Sequence, residues 1–247
     1  MSFHAIAEVD VLEDALDPVA TLVDECKLRL NGGGLKIRAC DAANVAMADV
    51  DLPERAFETY EADGGVVGVN LDRLQDVLSM GSSGDLAELQ LDEGARKLDI
   101  EIGGLSYTLA LIDPDSIRQE PDIPDLDLPA EVAFEGDELA RAVSATDLVS
   151  DHISLSADPD AETFLLGAEG DTDDVEVTLG NDELVDADVP EHVESLFSLD
   201  YLEDMARPIG SDVIVSFRLG TEMPVKFRYT NGEASVQHLL APRISSD

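Results

Sequence analysis

The residues from Ile117 to Ala130, IRQEPDIPDLDLPA, admit neither a helix nor an inner strand. Pro121, Pro124 and Pro129 each remove a backbone donor and push the preceding residue out of the helical region. The segment therefore reads as an extended strap, which at roughly 3.1 Å per residue in a polyproline-like conformation reaches on the order of 40 Å. Ile123, Leu126 and Leu128 recur between aspartates where a flexible spacer would carry Gly and Ser, so the strap is expected to lie on something apolar. A chain of 247 residues interrupted at this point predicts two domains of ordinary size, 1–116 and 131–247, with 117–130 joining them.

Charge sets the second constraint. The chain carries 55 acidic against 15 basic residues, a formal net charge of -40. Acidic chains poor in aromatics can be disordered, but disorder needs apolar residues to be scarce, and here they make up 44% and recur periodically from end to end. The better reading is a folded protein whose surface is built for concentrated salt. At 1 M the screening length falls to about 3 Å, which suppresses the self-repulsion such a surface would feel in dilute buffer. Basic residues are mostly Arg, with Lys only at 27, 36, 97 and 226. Cys26 and Cys40, both in strand-like runs, read as buried thiols. No apolar run is long enough to cross a bilayer and MSFHAIAEVD is not a secretory leader, so a cytoplasmic protein is expected, without a membrane partner.

Periodicity predicts an α+β fold of antiparallel sheets with short helices. A strand over Phe3 to Val9 precedes a helix over Val11 to Val23, with Pro18 predicted to kink it or to restart it behind Asp17. Strands follow at Cys26 to Leu30, Leu35 to Cys40, Val45 to Leu52 and Glu58 to Tyr60, then a helix marked by Leu71, Leu74, Val77 and Leu78. A meander of Leu86 to Leu91, Lys97 to Ile102 and Ser106 to Ile112 completes the first half. Beyond the strap the order returns: strand Glu131 to Phe134, helix Asp137 to Val149, strands Ile153 to Ser156, Phe164 to Ala168 and Val175 to Leu179, helix Leu199 to Ala206, and strands Val213 to Leu219, Val225 to Tyr229 and Ser235 to Leu240. LDRLQDVLSMGSSGDLAELQL from Leu71 aligns with LDYLEDMARPIGSDVIVSFRL from Leu199 through helix, turn and strand, which points to an internal duplication.

CDAANVAMADVDL at 40 to 52, GVNLDRLQDVL at 68 to 78, the strap ending DLDLPAEV, and LLAPRI at 239 to 244 together resemble the archaeal form of the sliding clamps called proliferating cell nuclear antigen. The resemblance runs the length of the chain. It implies two similar clamp domains, three subunits closing into a homotrimeric ring around double-stranded DNA, and no catalysis and no cofactor. The implied partners are DNA polymerase, an ATP-driven clamp loader, and other replication and repair enzymes bearing a short docking peptide.

The resemblance also assigns surfaces. A partner-peptide pocket would be built from Val45, Met47, Leu126, Leu128, Pro129, Tyr201, Pro224, Leu240, Ala241 and Pro242. An apolar peptide anchor needs a water-excluding pocket, and apolar residues on an irregular strap suit one. Subunits would pair Ser106 to Ile112 with Asp174 to Leu179, through Tyr107, Leu109, Leu111, Val175, Val177 and Leu179; each strand is apolar enough to be a liability if its edge stayed open. The helices would face DNA, yet they offer only Arg73, Arg141 and Arg207, and the first carries Glu13, Asp14 and Asp17 with no base. That is a departure from a clamp's basic inner wall. No metal site is expected: Asp171, Asp173 and Asp174 do not match a calcium loop, and the histidines are scattered. Two alternatives stand beside the clamp: a salt-adapted hydrolase using a carboxylate pair, and a monomeric binding module.

Overall fold

The structure, a computed structural model, describes residues 2–170 and 172–243. It consists of two compact units, Met1–Pro121 with Asn231–Val236, and Asp122–Thr230 with Gln237–Asp247. The first runs β1 (Phe3–Glu8), α1 (Val9–Ala20), β2 (Glu25–Asn31), β3 (Gly34–Cys40), β4 (Ala46–Pro53), a 3-10 turn at Glu54–Ala56, β5 (Thr59–Ala62), β6 (Gly65–Asn70), α2 (Leu71–Leu78), β7 (Leu86–Asp92), β8 (Lys97–Ile102) and β9 (Leu105–Ala110). The second repeats that order as β10 (Ala130–Glu135), α3 (Gly136–Thr146), β11 (His152–Asp158), β12 (Thr163–Glu169), β13 (Asp174–Leu179), β14 (Leu184–Asp188), β15 (Val193–Ser198), α4 (Leu199–Ala206), β16 (Ile214–Leu219), β17 (Val225–Asn231) and β18 (Ala234–Leu240), except that the hairpin residues Asn231–Val236 of the last two strands belong to the first unit.

Topology carries the duplication further than the letters do. Unit 1 contains the strand orders β5-β1-β7-β8-β9 and β4-β3-β2-β6; unit 2 contains β14-β10-β16-β17-β18 and β13-β12-β11-β15. Each strand of the second set is the first set's number raised by nine.

Both periods are visible in what is buried. Along β8, Leu98, Ile100 and Ile102 turn inward while Lys97, Asp99 and Glu101 do not. All four helices leave a strand directly, and each buries a stripe at i, i+3 and i+4 spacing: Val9, Leu12, Leu16 and Val19 on α1, Leu71, Leu74 and Leu78 on α2, Leu139 and Val143 on α3, Leu199 and Leu202 on α4. Each such large side chain contributes roughly 1.5–3 kcal/mol when fully withdrawn from water. Unit 2 has an aromatic spine, Phe134, Phe217 and Phe227, with successive centroids 5.2 and 4.9 Å apart. Cys26 and Cys40 are buried free thiols, and burial pushes the Cys26 thiol up to about 12.

The structure corrects the expectation for α1, which starts at Val9 and ends at Ala20 without restarting at Asp17. Pro18 lies in its last turns, where its missing N–H leaves the Asp14 carbonyl without an intrahelical donor. The Asn231 side-chain amide donates to that carbonyl at 3.0 Å and replaces the lost bond. Strands β6, β14 and β15 were not expected, and β9 ends at Ala110 rather than Ile112, which instead makes a single bridge to Gly68. Residues 118–129 have no regular structure, and β10 begins at Ala130.

Candidate functional site

The strap has a fixed start and a fixed end. At its start Ile117 is buried; a side chain at Gly68 would meet Ile117 Cδ1 at 2.7 Å and the Ile112 carbonyl at 2.6 Å, so only glycine allows this approach. The Glu120 carboxylate, withdrawn from water, accepts from Arg29 at 2.8 Å and lies 3.7 Å from Lys27, whose ammonium also donates to the Arg118 carbonyl at 3.1 Å. At its end Leu128 is 2% exposed and its carbonyl accepts from Arg218 at 3.2 Å. Pro129 packs so closely on Gly220 that a side chain there would meet its Cδ at 3.2 Å. Between these anchors Ile123 and Leu126 are half-buried, while Pro121, Asp122, Pro124, Asp125 and Asp127 are exposed.

The residues that the resemblance assigns to a peptide pocket occur in both units, one set within each. In unit 1 Val45 is half-buried and Met47 buried, at the end of a loop whose N–H groups the Asp41 carboxylate gathers: Ala43 at 2.9 Å, Val45 at 2.7 Å and Ala46 at 2.8 Å. In unit 2 Leu126, Pro129, Tyr201, Pro224, Ala241 and Pro242 are half-buried, and Leu240 is fully buried. A residue missed by sequence reasoning organises this side. Ser195, 3% exposed on β15, donates to the Gly220 carbonyl at 2.8 Å and accepts from the Met223 N–H at 3.1 Å. It thus fixes the turn that presents Pro224 and receives Pro129. One residue on, the Leu196 carbonyl accepts the Arg243 N–H at 2.7 Å and ties the segment bearing Ala241 and Pro242 to the same strand. Ile244 lies outside the described residues.

The proposed contact strands both lie at sheet edges: β9 ends β5-β1-β7-β8-β9, and β13 ends β13-β12-β11-β15. Parity identifies the open groups. Leu111 N–H donates to the Arg96 carbonyl, so the odd residues of β9 pair with β8, and the N–H and C=O groups of Ser106, Thr108 and Ala110 point away. Gly170 N–H donates to the Asp173 carbonyl, which by the same alternation leaves Asp174, Glu176 and Thr178 of β13 outward. Leu109, Val177 and Leu179 are buried within their own units; Tyr107, Leu111 and Val175 are half-exposed. Two exposed apolar side chains that the sequence did not single out lie just beyond the helices packed beside these edges, Met80 after α2 at 66% and Leu148 after α3 at 84% exposure.

On the helices the structure sharpens the charge problem. Arg73 is exposed, and its N–H is capped by Asn70 at 2.9 Å. Arg141 is paired with Glu138 at 2.5 Å, and Arg207, which lies one residue past α4, with Asp204 at 2.6 Å. Two of the three arginines are therefore locally compensated. On α1, burial raises the Glu13, Asp14 and Asp17 carboxyls above their ordinary range, and repulsion adds to it for Glu13 and Asp14. Among the described residues no group of three or more His, Cys, Asp or Glu side chains is placed to hold a metal ion; Asp171 is outside them.

Known proteins share this sequence and fold. Residues 3–104 match the N-terminal domain of proliferating cell nuclear antigen. The chain is 58% identical to a DNA polymerase sliding clamp of Natronomonas pharaonis and 55% identical to one of Halobacterium salinarum, in each case over 99% of this chain and all of the relative. Among solved structures, the A. fulgidus PCNA bound to the C-terminal region of FEN-1 superimposes with a TM-score of 0.92 at 35% identity, over 99% of this chain and all of that one. Full-length identity of this order leaves the hydrolase and lone-module alternatives without support. The chain belongs to the proliferating cell nuclear antigen family of sliding clamps.

Proposed function

We propose that this chain is a DNA polymerase sliding clamp working in a salt-rich cytoplasm, as a closed homotrimer that encircles duplex DNA and tethers polymerase, clamp loader and repair enzymes. Its work is mechanical: it holds, and catalyses nothing. The observation that carries the reading is full-length similarity to DNA polymerase sliding clamps, in a chain whose strands β9 and β13 each end a sheet. Two different edge strands on one chain permit a head-to-tail contact, which generates a ring when the rotation closes. The domains are 1–116 and 131–247, with the strap 117–130 between them. No helix among the described residues is long and apolar enough to cross a membrane. The test is a primer-extension assay in molar KCl: the protein should lengthen the products of a replicative polymerase on loaded circular template, and no change in product length would refute the reading.

For partners we propose the pocket residues assigned above, with Pro129 and Pro224 on one rim and Ala241 and Pro242 beside them. A FEN-1 C-terminal peptide, the ligand in the A. fulgidus complex, is the natural probe.

For DNA we propose enclosure rather than phosphate neutralisation. Three subunits at -40 each surround a polyanion, and phosphate-contact affinity falls by about 10³ to 10⁵ between 50 and 200 mM salt for a protein with many such contacts. A topological link has no such dependence, and cations bridge the acids to phosphate. Replacing Arg73, Arg141 and Arg207 together with Gln should leave clamps on closed circular DNA in molar KCl and release them on linearisation. Loss of the triple variant from intact circles would show that the arginines hold the DNA.

A further inference from the structure

We infer that Arg118 is a positioning residue for peptide capture, a latch by which the start of the strap fixes the loop presenting Val45. The inference rests on the docking reading above and concerns contacts within unit 1 alone.

The Arg118 guanidinium makes two bonds to that loop, from Nη1 to the Asp41 carbonyl at 2.8 Å and from Nη2 to Asn44 Oδ1 at 2.7 Å. Asn44 is the left-handed point of the loop, with φ of 59°, a conformation that asparagine tolerates better than most residues other than glycine. Val45 is the next residue, and its N–H is already committed to the Asp41 carboxylate. Asp41 therefore holds the loop from within and Arg118 clamps it from outside, at its first residue and at its left-handed one. The guanidinium suits the task because its planar fork reaches two acceptors at once, whereas an ammonium or an amide donates from a single centre.

What makes this a latch is that Arg118 is itself held. Its carbonyl takes a bond from Lys27, and Glu120 two residues on is paired with Arg29. The backbone at 118–120 is pinned to β2, so the guanidinium is carried on a fixed base within reach of both acceptors. Strap and loop form one element, and a partner peptide seated against Val45 meets a surface already in place, which lowers the ordering cost of binding. Both acceptors of Arg118 are uncharged and in contact, so concentrated salt, which screens exposed ion pairs, leaves the clamp in force.

The experiment measures binding of a labelled FEN-1 C-terminal peptide in molar KCl to the full-length protein and to Arg118→Gln, Arg118→Lys, Val45→Ala, the Arg118→Gln/Val45→Ala double variant and Leu128→Asp. Arg118 is exposed, so its replacement spares the core. Arg118→Gln and Arg118→Lys should each weaken capture about tenfold, with particle mass and thermal midpoint unchanged. The double variant should bind no worse than the weaker single one, because Arg118 acts through Val45; fully additive losses would overturn the inference. So would wild-type affinity in Arg118→Gln while Leu128→Asp fails to bind, an outcome that leaves the docking reading standing. Undiminished capture by Leu128→Asp refutes the docking reading and the latch with it.

Discussion

Thr108→Pro is expected to convert the proposed trimer to monomers in molar KCl, read as particle mass by light scattering. Thr108 sits at the middle of β9, and the parity set by the Leu111-to-Arg96 bond directs its N–H away from β8. Proline there removes a donor that the subunit's own sheet does not use, and it sets its ring in the path of an incoming strand. Each contact loses one bond and leaves a partner carbonyl unpaired, about 1–3 kcal/mol. Repeated at three contacts, that shifts assembly far toward monomer. Thr108 also donates to Asp99 at 2.6 Å on the exposed face, so Thr108→Ala is the control and should remain trimeric. Leu109→Pro, by contrast, falls on the register facing Leu98 and should lower the thermal midpoint of the subunit as well. If Thr108→Pro kept the wild-type mass, β9 would not be the ring-closing edge.

That distinction shows where the sequence was legible. Local periodicity sufficed for α2 and α4, whose apolar residues recur on one face between a strand and a turn, and for β8, whose alternation is unbroken. It failed where a polar group occupies an inward position. β15 alternates Val193, Ser195 and Phe197 inward, and the serine breaks the apolar pattern because its hydroxyl serves the Gly220–Met223 turn. β6 carries two glycines, one at the close approach to Ile117, and glycine signals a turn when read locally. β14 is acidic and largely exposed, with no inward face to betray it. The restart expected at Pro18 does not occur, and the bond that replaces its missing one comes from Asn231, remote in the chain. The site divides in the same way: apolar strap residues announce a surface, while Arg118 and Ser195 act on loops 77 and 25 residues away, gaps that no local pattern spans.

Leu128→Asp should abolish capture of the FEN-1 peptide, a loss of at least about a hundredfold, while the ring keeps its mass. Leu128 is the one strap residue between Arg118 and Pro129 that is fully buried. A carboxylate at that depth without a dedicated partner costs several kcal/mol, and the chain can relieve the cost cheaply. Residues 118–129 take part in no sheet ladder, so the strap end can lift away from Arg218 and Gly220 without unpairing a strand. Lifting carries Leu126 and Pro129 off with it, and the apolar wall offered to a peptide anchor goes. The proposed contact edges at β9 and β13 are set by their own ladders and do not depend on the strap end. Leu126→Asp, at a half-buried position, should show the same loss in smaller measure, about tenfold, with no change in thermal midpoint. Equal peptide affinity in wild type and both variants would mean that the strap covers the second unit without receiving partners, and the docking surface would have to be sought elsewhere on the clamp.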